Sequence, residues 1–365
     1  MKKQEILAAM RNRNLSRRQF NRMLAAAGVT LTAMPMVARR AAAEDQVTYF
    51  TWSGYDVPEF FPGYAAAHGL PNMPIFSDEE EGFQKLRAGF VADVAHPCSG
   101  RIVRWRDGGV IQPFDTAALS NWGDVFEDLK SINGAADGGQ WFIPIDWGNT
   151  SIIYRADLVD IEEESWSLLW DKRYEGKLSI GTDITDTAVI TGLLVGVEDP
   201  YNMTDADIAA VKAKLEEQKP LLRFYWSDTT QLEQGLASGE VVASTAWNSA
   251  LPSLRAQGVD VKFMNPKEGI LTWCCGAVLC SDAPQPELAH ELVNALISPE
   301  AGEWLINYGY GHSNKISFTR VTPELLADRG FPADPTEYMK KGIFSRDNKR
   351  LDDLQQMFEA VMAGT

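Results

Sequence analysis

Three tryptophans, Trp52, Trp247 and Trp273, each stand at the end of a stretch that reads as a β-strand, and so does the Pro97-Cys98 pair. Ligands of open α/β sheets sit beyond the carboxyl ends of strands, so these residues mark candidate mouths of a site. Indole faces suit such a place. They pack against methylene chains and attract cations, at about 1–2 kcal/mol per dry contact. Tryptophan is frequent, 11 in 365 residues, although most such rings serve packing. Catalytic chemistry has less support. There is no GxSxG elbow, no phosphate-cradling glycine loop and no HExxH pair, and His68, His96, His290 and His312 are scattered. Cys98, Cys274, Cys275 and Cys280 form no CxxC pair, which removes zinc-ribbon and thioredoxin-type sites. No catalytic residue, cofactor or metal is expected. Ferric iron would want clustered tyrosine oxygens, and only Tyr308 and Tyr310 lie close enough, sharing a face if in a strand. A phosphonate would want Arg101 or Arg104, which read as a solvated helix face.

The elements that must position these residues alternate. Strands are predicted at 47–52, 73–76, 92–95, 141–145, 150–154, 177–180, 222–225, 241–246, 261–264 and 272–279. Helices are predicted at 58–67, 79–90, 188–197, 205–218, 287–297, 300–308 and 351–363, with a helical turn at 167–171 and Thr204 or Asp205 as a cap. Such alternation implies an α/β fold with a largely parallel sheet and crossover helices. The length suits two domains or two lobes, and neither a solenoid repeat nor a low-complexity linker separates them.

The N-terminus has its own logic. Arg17-Arg18 with Phe20 precede an apolar stretch at 23–37, then Arg39-Arg40 precede an Ala-x-Ala pattern at 41–43. The stretch is too short and too weakly apolar to span a membrane stably. Residues 1–43 thus resemble a cleavable twin-arginine signal peptide, read by the twin-arginine translocase, with a mature chain free in the periplasm. That compartment permits disulfides, which would form late in a chain folded before export. The whole chain carries a net charge of −16; without its first 43 residues it keeps 25 basic against 49 acidic residues, or −24. Such an excess argues against nucleic acid and anionic membrane surfaces as partners.

Several ordered stretches resemble one family. They are Tyr-Phe-Thr-Trp-Ser-Gly-Tyr at 49–55, Ala-Asp-Val-Ala-His-Pro at 92–97 and Trp-Ser-Leu-Leu-Trp-Asp-Lys-Arg-Tyr-Glu-Gly-Lys-Leu at 166–178. Further ones are Ser-Gly-Glu-Val at 238–241, Ala-Trp-Asn at 246–248, Asn-Pro-Lys-Glu-Gly at 265–269 and Tyr-Gly-Tyr at 308–310. Together they resemble spermidine/putrescine-type periplasmic solute-binding proteins of ABC importers, over most of the mature chain. The resemblance implies a type II periplasmic-binding-protein fold. Two α/β lobes, 46–147 with 273–318 and 148–272 with 319–365, would close on a ligand by hinge motion. It implies a membrane permease and a cytoplasmic ATPase as partners, and a monomer without enzymatic activity.

The resemblance also transfers site residues. Trp52, Ser53 and Tyr55 would stand at the first strand's end, with Trp247, Trp273 and Tyr310 as further pocket aromatics. Asp183 and Asp186 would be the second-lobe carboxylates; their alternative role is to cap the helix expected from Ala188. Cys98 and Cys275 occupy pocket positions where the family has a serine and a carboxylate, and Gly100 replaces a pocket tyrosine. Each cysteine could be a disulfide partner, a soft-metal ligand or a small apolar filler, the reduced and buried state being the expectation. In a strand only one of Cys274 and Cys275 can face the pocket. An ammonium taken from water needs a charge partner, so losing a carboxylate points to a small amine-bearing solute, cationic or zwitterionic, other than spermidine. The alternatives are the same fold holding an amino acid, betaine or other small solute, and an enzyme exported by the twin-arginine route.

Overall fold

Two long strands organise the molecule. β-Branched and aromatic residues fill 143–155, and every residue there but the last is buried, as in a strand covered on both faces. The computed structural model describes residues 46–52, 54–76, 79–332, 334–336 and 342–364, so the signal expected at 1–43 lies outside the described residues. Among them the strands are β1 Tyr49–Phe50, β2 Val94–Ala95, β3 Ile111–Gln112, β4 Ile143–Arg155, β5 Leu178–Gly181 and β6 Leu222–Trp226. They continue with β7 Ala243–Trp247, β8 Val261–Phe263, β9 Leu271–Cys280, β10 Gly311–His312 and β11 Ile343–Phe344. The sheet runs β1-β2-β9-β4-β7-β5-β6.

The sheet is mixed, not largely parallel. β4 runs antiparallel to β7, β8, β9 and β10, while β5 lies parallel to β6 and β7, and β1 parallel to β2. The polar-looking stretch Asp146-Trp147-Gly148-Asn149 suggested a break between two short strands. It is instead the middle of β4, because Asp146, Asn149 and Thr150 find partners inside the protein. The helix at Asp205–Gln218 and the one at Leu351–Ala363 sit where the sequence placed them. The first begins with a reciprocal Thr204–Asp207 capping box. The helix expected from Ala188 starts earlier, at Ile184. The helix Ile102–Asp107 carries Arg104, as the reading of a helix face there expects, whereas the helices Thr229–Ser238 and Ala250–Ala256 were not anticipated.

Buried side chains fall into two sets. One draws on 47–147 and 274–331 and holds Trp105, Trp147 and Phe142. The other draws on 152–271 and 354–361 and holds Trp166, Leu236 and Phe358. β4 and β9 each pass from one set to the other, and residues from Val47 onward form one compact unit.

Candidate functional site

The pairing of β4, β7 and β9 assembles the site. Residues directly opposite in antiparallel strands project on the same face. Asp146 lies opposite Cys275, Gly148 opposite Trp273, and Thr150 opposite both Leu271 and Trp247. One face therefore carries Asp146, Gly148, Thr150, Trp247, Trp273 and Cys275. Trp147 and Cys274 turn the other way, into the first core.

Aromatic rings gather on this face. Trp273 meets Tyr310 edge to face at 5.0 Å, and Trp247 stands edge-on to Trp226 at 5.5 Å. Tyr55, Trp247 and Trp273 pack, partly buried, on the cluster that contains Tyr310. Tyr310 is not in a strand with Tyr308. Tyr308 ends the helix Pro299–Tyr308, and Gly309 turns the chain at φ 113°, beside Ser249 and Pro252. Tyr308 is left half-exposed and Tyr310 buried, its hydroxyl 3.1 Å from Ser249 Oγ. The two rings still meet edge to face at 5.4 Å, but from a helix end and the turn after it, not from one face of a strand. Trp52 packs nearby on Phe76 at 4.4 Å and donates its indole N–H to the His96 carbonyl at 2.7 Å. Ser53 lies outside the described residues.

Acids occupy the rim. Asp183 accepts from the Thr185 and Asp186 amides, so it is the N-cap of the helix Ile184–Val195. Asp186, three residues on, accepts the Thr150 hydroxyl proton at 2.6 Å. Burial, then the neighbouring Asp183, push the Asp186 carboxyl up to about 7, against the Thr150 hydrogen bond. Among the described residues no lysine or arginine pairs with either aspartate. Glu79 lies within electrostatic reach of Asp183, and its carboxylate accepts the Cys98 amide at 2.6 Å. Burial raises its pKa, although Arg101 opposes this. Arg101 is no solvated side chain: its Nε is 3.2 Å from Glu79, with Asp347 at 3.8 Å. Arg104 does stay on the surface, paired with Glu80.

Cys98 and Cys275 are disulfide-bonded, which corrects the reduced state expected for them. A backbone bridge holds Cys98 against Cys275 on β9, so the sulfurs meet although 177 residues separate them. Cys274 and Cys280 remain as buried free thiols.

Sequence reasoning missed Glu79, Thr150, His96 and Asp146. The signal was present in the last two: each is a polar residue inside an apolar run, Val94-Ala95-His96 and Phe142-Ile143-Pro144-Ile145-Asp146. Burial of such groups requires partners, and both have them.

Gly148 is the close-approach residue of the site. A methyl at its Cβ position would overlap the Trp273 ring, whose buried Nε1 has no hydrogen-bond partner among the described residues. Packing alone fixes that indole. Gly148→Ala is therefore expected to displace Trp273, costing about 1–3 kcal/mol of stability. Denaturant unfolding followed by indole fluorescence checks this; an unchanged midpoint and emission maximum would show that the ring is not held there.

Comparison with known proteins agrees with this architecture. The profile of the bacterial extracellular solute-binding protein family matches residues 78–333. The spermidine/putrescine-binding periplasmic protein of Escherichia coli (strain K12) is 25% identical over 355 residues, covering 95% of this chain and 99% of that one. The putrescine/agmatine-binding protein of Pseudomonas aeruginosa is 25% identical over 322 residues, covering 82% and 85%. The spermidine/putrescine ABC transporter substrate-binding protein of Streptococcus pneumoniae superposes with a TM-score of 0.74. It is 18% identical, over 87% of this chain and 99% of that one. A family profile that takes in both long strands, together with an aromatic face backed by two separate cores, places this chain in the bacterial extracellular solute-binding protein family.

Proposed function

We propose that the protein is the periplasmic receptor of an ABC importer and that it captures a small amine-bearing solute. Asp183 and Asp186 carry the reading: two carboxylates without a basic partner stand beside a face of indoles. A ligand ammonium would supply the missing counter-charge, and the rings of Trp52, Trp247 and Trp273 would cover its carbon chain. Tyr55, Tyr310 and the disulfide Cys98–Cys275 complete the wall, and Ser53 belongs to the same proposal. The names of the relatives from Escherichia coli and Pseudomonas aeruginosa point to the same ligand class. The two sets of buried side chains support two lobes closing on the ligand, a monomer that hands it to a permease and ATPase. Export by the twin-arginine signal at 1–43 belongs to this reading.

The receptor serves a short amine better than spermidine. Glu79 already has Arg101, and Cys275 presents a disulfide, so the middle cation of a triamine would lose its water without gaining a partner. Isothermal titration with putrescine, agmatine and spermidine tests both levels. Binding without turnover is expected, with spermidine weaker than putrescine. Spermidine as the tightest ligand would refute the finer reading. An absence of binding by all three amines would refute the amine reading, and chemical conversion of one would refute the receptor itself.

A further inference from the structure

Behind Tyr55 lies a fully buried polar network that the ligand-binding reading leaves unused. Tyr55 donates its hydroxyl proton to Asp146 Oδ2 at 2.5 Å. His96 Nε2 lies 3.0 Å from the other oxygen, Oδ1, and both side chains are wholly excluded from solvent. At the far ring nitrogen, His96 Nδ1, stand two hydroxyls, Tyr49 at 2.8 Å and Thr51 at 3.1 Å. Burial raises the pKa of Tyr49 and of Tyr55, so both phenols keep their protons. A neutral imidazole that takes the Tyr49 proton at Nδ1 carries its own proton on Nε2, towards Asp146. The carboxylate is thus held by one donor on each oxygen.

This arrangement has a directional consequence. A tyrosine hydroxyl has one proton and two lone pairs. Tyr55 commits its proton backwards, to Asp146, so the lone pairs of its oxygen face forwards. Hydrogen bonds in a chain polarise one another, and an ionised partner strengthens the effect. The phenol becomes a better acceptor than an isolated tyrosine. It also stands in the site: it packs on the cluster holding Tyr310 and lies within electrostatic reach of that residue, whose ring meets Trp273. Asp146 is directly opposite Cys275, the strand position where the disulfide leaves no carboxylate.

We propose that Asp146, held by His96, is a positioning residue for the ligand: it fixes the Tyr55 hydroxyl as an acceptor for an ammonium N–H at the end of the site away from Asp183 and Asp186. This rests on the amine reading above and deepens it. The site then offers two anionic ends, one direct and one relayed through a phenol. Asp146 and Thr150, the residue that holds Asp186, stand four residues apart on β4, about 13 Å at the usual strand rise, so a diamine has a cation for each end and a third ammonium has none. Fixing the acceptor through a second residue keeps a buried charge off the surface of the site while its field is still felt.

A double-mutant cycle with putrescine, read by isothermal titration, tests the inference. Asp146→Asn keeps the shape and removes the charge; Tyr55→Phe removes the acceptor. Each alone is expected to weaken binding about tenfold, and the double variant is expected to be no weaker than Tyr55→Phe, because both act through one oxygen. Additive losses, or wild-type affinity in Asp146→Asn, would overturn the role. Should Asp146→Asn not fold, the His96 Nε2 proton resonance reports instead. Putrescine is expected to shift it in the wild-type protein and to leave it in place in Tyr55→Phe. A resonance that does not move in the wild-type protein would overturn the role. Failure of the wild-type protein to bind putrescine would overturn this inference, while the amine reading would stand if agmatine or spermidine bound.

Discussion

Putrescine affinity is expected to rise roughly tenfold between pH 6 and pH 8, and Asp186→Asn is expected to flatten that rise while weakening binding at least about thirtyfold. The cause is the raised pKa of Asp186, about 7, set first by burial and then by Asp183. An ammonium gains a counter-charge only from the ionised form. That form is about one-tenth of the population at pH 6 and nine-tenths at pH 8, whereas an alkylammonium, with a pKa of about 10, stays charged throughout. Tyr201 is kept protonated by burial, and Arg346 is engaged with Asp199 while its guanidinium lies 4.9 Å from the Tyr201 ring centroid. Stability of the empty protein runs the other way. A carboxyl raised in the folded state contributes stability that is complete below the ordinary carboxylate range and lost as pH rises through about 7. Thermal unfolding across pH 5 to 8, with and without putrescine, reads both trends. A pH-independent affinity in the wild-type protein would remove Asp186 as the ammonium's partner.

Loss of the Cys98–Cys275 bond is expected to destabilise the protein by about 2–5 kcal/mol. The bond closes a loop of 177 residues, so its removal frees a large part of the unfolded chain. It also fixes the segment whose Cys98 amide binds Glu79 against the strand that carries Trp273. Reduction by a dithiol, or the double replacement Cys98→Ser with Cys275→Ser, is therefore expected to lower both the unfolding midpoint and the affinity for putrescine. Cys274 and Cys280 do not take over. Burial raises the pKa of both thiols and keeps thiolate, the reactive species, scarce. Denaturant titrations of oxidised, reduced and doubly substituted protein decide the matter. Equal midpoints in all three would mean that the bond carries no stability.

The parts of the fold legible in the sequence are those with a local cause. The helix Asp205–Gln218 carries its own cap, and the helix Leu351–Ala363 its own apolar stripe, so both were placed to the residue. The alternation of elements gave the α/β class; of the indoles read as strand ends, Trp247 does close β7, whereas Trp273 is the third residue of β9 and not at its carboxyl end. Short apolar segments fared less well. The 73–76 segment lies along 48–51 but makes only an isolated bridge at Ile75, because Pro74 accepts from Thr51 and has no N–H to donate to the ladder. The helix Thr229–Ser238 escaped notice because its capping signal, Asp228 followed by two threonines, looks like any polar loop.

The sequence by itself determined which residue types were available: indoles at strand ends, an acidic surplus, four thiols outside any metal spacing. It also carried the two aspartates three apart that a helix start would bring together. Tertiary structure alone decided their states. Whether Cys98 is free or bonded depends on a strand 177 residues away. Arg101 faces Glu79 rather than water because the helix Glu79–Arg87 begins beside the Cys98 turn. Asp183 caps its helix while Asp186 takes the Thr150 hydroxyl proton, because only Asp186 lies over Thr150 on β4. Asp146 is buried against Tyr55 and His96 because β4 runs unbroken through both cores. Charge state, redox state and accessibility are properties of surroundings, and surroundings are assembled from residues far apart in the chain.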